Sequence, residues 1–310
     1  MVSLAPEPGG GNTHRSCANL LDAGCNWLVA RNDPNPFCIA CRLNQVIPRL
    51  AEGANRHRWV ELEGAKRRLV YGLLSLGLPV HGKEEMPDTG LAFAFLADTS
   101  GPFEEQARVI TGHAAGLITI NVAETDPLYR EEVRVQMGEP YRTLLGHFRH
   151  ESGHYYWERL IHRSSRRDPF TALFGDCRRD YPEALRSYYE NGPGRDWRNG
   201  YISAYASAHP WEDWAETWAH YLHMRDTVET AIAFGLVPES PHANGDEPFD
   251  SLLSRWIDLS LAMNGLSRSL GLPDSCPFPI SEPAAAKLRF VHETISSFPN
   301  RTGASRRTVS

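Results

Sequence analysis

The sequence predicts an α+β fold: a large domain of helices with a small mixed sheet, preceded by a compact module stapled at its cysteines. Three observations lead there. Long stretches carry apolar residues at helical spacing, short apolar runs bounded by glycine read as strands, and four cysteines crowd between positions 17 and 41. With 310 residues, 41% of them hydrophobic, the chain is long enough to bury a sizeable core.

Residues 1–15 are rich in Gly and Pro and read as a flexible tail. Residues 16–50 hold Cys17, Cys25, Cys38 and Cys41 in the spacing C-x7-C-x12-C-x2-C, with the turn-rich run Arg31-Asn32-Asp33-Pro34-Asn35-Pro36 between the two pairs. Four thiolates can hold a tetrahedral structural zinc, and Cys38-Ile39-Ala40-Cys41 has ordinary knuckle spacing. The expected unit is a zinc-ribbon-like module of four cysteines, with buried or redox-active thiols as the alternative. Cys177 and Cys276 stand alone and read as buried small hydrophobes.

The main domain is expected over 51–296. The stretch RWVELEGAKRRLVYGLLSL, beginning at Arg58, has helical apolar spacing, and Gly77 followed by Pro79 stops it. The runs LAFAFLA at 91–97 and LITINVAE at 117–124, with Arg108-Val109-Ile110-Thr111 between them, read as strands of a mixed sheet. Were LITINVAE an exposed edge, it could pair with an extended peptide by strand addition. Helices are expected at 128–138, from Tyr141 to about His162, and at 210–224, 248–264 and 283–296. The polar, Arg/Asp-rich connection at 163–200 holds one short helical piece near Pro182 to Tyr189, and residues 297–310 read as a second flexible tail.

A net charge of -6 supplies no basic excess of the kind that neutralises phosphates, so no nucleic-acid partner is expected. The opening residues lack the apolar core of a secretory leader, and no stretch is long and apolar enough to span a bilayer. Six cysteines are too few for a disulfide scaffold in a chain of this size. A cytoplasmic protein with no membrane partner is the expectation.

The chemistry concentrates at HESGH, residues 150–154. On a helix, His150 and His154 project from one face a turn apart, so both imidazoles can bind one zinc while Glu151 lies beside the metal-bound water. Zinc lowers the pKa of such a water to roughly 7, and a neighbouring carboxylate can take its proton as it attacks a carbonyl. Gly153 sits inside the motif at a cost of about 1 kcal/mol against alanine, which implies a close approach to the backbone by another element or a ligand. An accidental H-E-x-x-H is the competing explanation.

A catalytic zinc needs a third protein ligand, and AYASAHPWEDWAETWAHYLHM at 204–224 offers candidates. Pro210 suits a helix start, beyond which Glu212, Glu216 and His220 recur every four residues on one face. An exposed acidic stripe at a helix N-terminus would look similar. In one assignment Glu212 is the ligand and Glu216 orients a histidine through its other N–H; the reverse stays open. Tyr205 is a candidate hydrogen-bond donor to a developing oxyanion, with Tyr201, His209, His220, His223 and His147 as alternatives or structural residues.

The segments CANLLDAGCNWLV, FCIACRLNQVIP, GLITINVAE, GEPYRTLLGHFRHESGHYYWERL and SAYASAHPWEDWAETWAHYLH together resemble the bacterial zinc-binding metallopeptidase family, in which a cysteine-rich front part precedes a zincin domain. The likeness runs over most of 16–296. More distantly, HExxH paired with an E-x-x-x-E helix behind a tyrosine is similar to the catalytic domain of anthrax lethal factor and to Mlc titration factor A. The resemblance implies a zincin-like domain whose motif helix lies under the mixed sheet. It also implies catalytic zinc on His150, His154 and Glu212, with Glu151 as general base and Tyr205 as transition-state stabiliser. Family members often carry a further CxxC knuckle ahead of this region, which is not found here.

The expectation is therefore a zinc metallopeptidase with one catalytic and one structural zinc, acting on a peptide or protein substrate. A zinc hydrolase of a non-peptide amide or ester would share every residue named. A non-enzymatic, zinc-stabilised protein-binding module would not need Glu151.

Overall fold

A computed structural model describes residues 13–98, 109, 111–139, 141–239 and 247–298. The chain divides into two units, Met1–Val70 with Val80–Arg130 and Tyr71–Pro79 with Glu131–Ser310. Helix, strand and cysteine cluster together give the α+β architecture that the sequence predicts.

In the first unit, β1 (His14–Ser16) pairs antiparallel with β2 (Leu28–Ala30), with Arg15 opposite Val29. The tail expected to be mobile up to the first cysteine is therefore strand from His14; pairing with a strand beyond the Cys25 turn was not visible locally. Between them lies α1 (Leu20–Ala23), closed by Gly24 at φ 58. The Asp33-Pro34-Asn35-Pro36 turn is built from side-chain caps: Asp33 Oδ1 accepts from Asn35 N–H at 2.9 Å, and Asn35 Oδ1 accepts from Phe37 N–H at 3.0 Å. This turn delivers Cys38 and Cys41 back to Cys17 and Cys25.

The same unit holds a four-stranded sheet in the order β3 (Asn44–Val46), β4 (Ala92–Leu96), β6 (Leu117–Asn121), β5 (Gly112–Ala114). β3 and β6 run parallel to β4, and β5 runs antiparallel to β6. Residues Ala92 to Phe95 are buried, as a continuous apolar central strand should be. Ala115 (φ 47) and Gly116 (φ 82) form the β5–β6 turn, where both central residues need positive φ. The strand 117–121, whose place in the sheet its spacing left open, is an interior one: β4 and β5 lie on its two sides, so among the described residues it is not the exposed edge that strand addition would need. Of the Arg108–Thr111 run, Arg108 and Ile110 lie outside the described residues.

Helix α2 (Asn55–Ser75) ends as the sequence predicts, with Gly77 at φ 70 and Leu78 N–H bonded to Leu73 O at 3.0 Å. Helix α3 (Pro127–Met137) follows the sheet. The second unit then holds α4 (Leu144–Leu160), α5 (Arg167–Phe174), α6 (Tyr181–Asn191), α7 (Pro210–Ala233), α8 (Phe249–Ser269) and α9 (Glu282–Ser296). Two expectations need correction. The 163–200 connection contains α5 as well as α6, because Phe170 and Phe174 form a buried face against Trp214 and Phe290 despite the surrounding charge. Helix α7 continues nine residues past 224 to Ala233, because Val228 and Ala231 are buried and Asp226 pairs with the buried Arg149. Cys276 is buried, whereas Cys177 is only half-buried. No described helix is long and apolar enough to cross a membrane.

Candidate metal centre

Helix α4 starts at Thr143, whose side-chain oxygen accepts from Gly146 N–H at 3.0 Å. This places His150 and His154 on one face with their Nε2 atoms 3.2 Å apart. Helix α7 starts at His209, whose Nδ1 accepts from Trp211 N–H at 3.0 Å, with Pro210 in the first turn. Glu212 thus falls in the first turn of α7, where the helix dipole favours a carboxylate.

Gly153 brings the two helices together. A methyl at that position would stand 2.9 Å from Ala215 Cα and 3.2 Å from Trp218 Cδ1, so the close approach implied by a glycine in the motif is the backbone of α7. Two indoles clasp the same turn: Trp214 Nε1 donates to Gly153 O at 2.8 Å, and Trp218 Nε1 donates to Ser152 Oγ at 3.1 Å. Both tryptophans are fully buried, which fixes the register of α7 on α4.

In that register Glu212 Oε2 lies 3.0 Å from His150 Nε2, and Oε1 lies 3.6 Å from His154 Nε2. Glu216, one turn on, reaches the other side of the same imidazole: Oε1 is 2.6 Å from His150 Nδ1, and Oε2 accepts from Ser203 Oγ at 2.6 Å. Glu151 is buried, and its Oε2 has no hydrogen-bond partner among the described residues.

These donors suit a zinc ion. Ligands about 2.0–2.1 Å from a tetrahedral metal stand about 3.3 Å from one another; the two histidine Nε2 atoms are 3.2 Å apart, and the Glu212 carboxylate comes within 3.0 Å of His150 through Oε2 and within 3.6 Å of His154 through Oε1. The same test applies to the buried Cys17, Cys25, Cys38 and Cys41. Cys25 Sγ is 3.7 Å from both Cys38 Sγ and Cys41 Sγ, against about 3.8 Å for thiolates around zinc. Backbone support comes from Cys38 N–H, which donates to Cys17 Sγ at 3.3 Å. Behind this cluster stands a fully buried pair on α2: Glu63 faces Cys41 Sγ at 3.8 Å through Oε2, and its Oε1 accepts from Lys66 Nζ at 2.7 Å.

Charge follows geometry at the histidine site. Burial alone would lower His150, but hydrogen bonds to Glu212 and Glu216 outweigh it and raise its pKa well above the usual imidazole value. Burial alone would raise Glu212, but the charge of His154 and hydrogen bonds from both histidines hold it well below the usual carboxylate range.

The remaining sequence candidates scatter. Tyr205 joins the site, its ring 6.0 Å from that of His150, and burial with the nearby Glu212 charge pushes its pKa upward. His209 caps α7, its Nε2 donating to Arg179 O at 3.3 Å. His220 and His223 pack on Trp256 of α8, and His220 also on Phe278. Tyr201 lies against Lys287 Nζ, and His147 is half-buried on α4. Sequence reasoning missed three neighbours: Ser203, Trp211, whose ring lies 4.2 Å from His154, and Tyr181, whose hydroxyl donates to Glu212 Oε1 at 2.6 Å. Tyr181 precedes Glu212 by 31 residues in a charged connection, and no local spacing marks it.

A family described as "Putative zinc-binding metallo-peptidase" matches residues 55–294, and a zinc-ribbon domain matches residues 5–52. The chain belongs to that zinc-binding metallo-peptidase family. Among its relatives are the "Uncharacterized protein Rv2568c" of Mycobacterium tuberculosis (strain ATCC 25618 / H37Rv) and the "Uncharacterized protein Mb2598c" of Mycobacterium bovis. Each is 44% identical over 300 residues, covering 94% of this chain and 86% of the relative. No solved structure matches the chain.

Proposed function

We propose that the protein is a zinc-dependent peptidase that hydrolyses peptide bonds in a peptide or protein substrate. The observation that carries this reading is the convergence of His150, His154 and Glu212, whose donor atoms all lie within 4.8 Å of one another, next to Glu151, whose Oε2 has no hydrogen-bond partner among the described residues. In this reading His150 and His154 bind through Nε2 and Glu212 through its carboxylate. Glu216 accepts from His150 Nδ1–H, which fixes the tautomer that leaves Nε2 free for the metal. A zinc ion held there supplies Lewis acidity and brings the pKa of water down to about 7. Glu151 then acts as general base: its Oε2 takes the proton from the attacking water and passes it to the leaving amine. Tyr205 donates its phenolic hydrogen to the oxyanion. The cluster of four cysteines holds a second, structural zinc.

The test combines metal content with turnover. Wild-type protein is expected to carry zinc at two per chain, falling to one in a His150→Ala/His154→Ala variant. Glu151→Gln keeps both ions and loses about 10²–10⁴-fold in cleavage of a mixed peptide library. Retained cleavage in Glu151→Gln, or zinc content unmoved by the double variant, refutes the assignment.

A further inference from the structure

We infer that Tyr181 is a positioning residue for the third metal ligand: it ties one oxygen of Glu212, so that the carboxylate offers a single oxygen to the metal and a coordination position stays open. The inference rests on the zinc reading of His150, His154 and Glu212 and adds to it the residue that sets the coordination number. Tyr181 opens helix α6, where Asp180 caps by accepting from Glu183 N–H at 2.9 Å and Pro182 stands in the first turn. Its ring is wedged edge-on against His209, with centroids 5.2 Å apart, and against Trp211 at 5.5 Å. Those contacts come from the start of α7, so the turn that carries Glu212 also fixes the tyrosine that hydrogen-bonds to it.

The two carboxylate oxygens of Glu212 are not equivalent. Oε2 is the nearer to an imidazole, at 3.0 Å from His150 Nε2, and Oε1 stands 3.6 Å from His154 Nε2 while accepting from Tyr181 at 2.6 Å. A hydroxyl hydrogen on Oε1 draws electron density from that oxygen and holds the carboxylate in one orientation, which disfavours a two-oxygen grip on the metal. A carboxylate without that restraint is free to bind through both oxygens, as carboxylates do at larger coordination numbers. A peptidase requires the opposite, because water and the substrate carbonyl need a place on the metal.

The test is Tyr181→Phe in the full chain, which keeps the ring and its packing and removes one hydroxyl. Cobalt(II) replaces zinc at the histidine site, and its visible d–d absorption reports coordination number. Subtracting the His150→Ala/His154→Ala spectrum removes the cysteine-site contribution. The expected result is a weaker, five-coordinate-type cobalt spectrum in Tyr181→Phe, a zinc dissociation constant raised about ten- to a hundredfold, and a fall in kcat larger than the change in KM. Tyr188→Phe serves as the control: its ring touches Tyr205 at 5.7 Å, so it perturbs the aromatic wall without touching Glu212, and it should leave the spectrum unchanged. A Tyr181→Phe spectrum and zinc affinity equal to wild type overturn the inference while the zinc reading stands. A wild-type cobalt spectrum identical to that of the double-histidine variant overturns both.

Discussion

Gly153→Ala isolates the contact that brings the two metal-site helices together. Alanine should favour α4 by about 1 kcal/mol as a better helix former. Against that, its methyl must fit where Ala215 Cα is 2.9 Å away and Ala215 O is 3.3 Å away. Neither atom is the end of a flexible side chain, so α7 must move outward by several tenths of an ångström. Overpacking of this kind costs about 1–3 kcal/mol, and stretching the Trp214–Gly153 and Trp218–Ser152 hydrogen bonds adds about 1 kcal/mol. The net expectation is a loss of about 1–3 kcal/mol, a fall in Tm of about 3–10 °C. Since Glu212 rides on α7 and both histidines on α4, zinc at the histidine site should loosen while the cysteine-bound ion stays. Thermal unfolding by circular dichroism, with zinc titrated in competition with a chelator, measures both effects. A variant as stable as wild type, or more so, would refute the reasoning, because the propensity gain would then have met no opposing contact.

Two further outcomes are expected. Cys41→Ser should remove one zinc per chain and leave the histidine-site ion bound; retention of both ions would exclude Cys41 as a ligand. His220 is buried on α7, and desolvation lowers its pKa to about 3. The unfolded chain, near 6.5, therefore takes up the proton first, and stability is lost as pH falls from about 6.5 toward 3, by about 2 kcal/mol at pH 5 from this residue alone. A His220→Leu variant should show a stability-against-pH slope between pH 6 and 4 that is shallower by about 1.4 kcal/mol per unit, read by urea unfolding with both proteins equally depleted of zinc. Parallel curves would show that His220 is not the source.

What the sequence made legible was local. HESGH on a helix, the four-residue recurrence of Glu212 and Glu216, and a glycine that implied a close neighbour all rest on helical geometry, and the structure puts these residues in one place. What stayed hidden depends on partners distant in the chain. Whether LITIN is an edge is decided by β5 and β4, and no pattern within the strand records which neighbours it has. The charge of Arg163 to Asp168 masked α5, although Phe170 and Phe174 lie one turn apart on its buried side. The helix expected to stop at 224 continues, and just beyond that point Asp226 answers a buried arginine 77 residues earlier. Tyr181 reaches the site by a hydrogen bond that links two helices through an unremarkable turn.

The contact between Trp211 and His154 has a practical consequence. An indole whose ring centre is 4.2 Å from the imidazole proposed as a metal ligand would serve as an optical gauge built into the site. Its emission should answer to what occupies the neighbouring ring nitrogen, dimming sharply when an open-shell ion such as cobalt(II) enters and recovering when zinc displaces it. Metal exchange can then be timed in the unlabelled chain within a single mixing experiment, with a Trp211→Phe variant supplying the background from the other tryptophans.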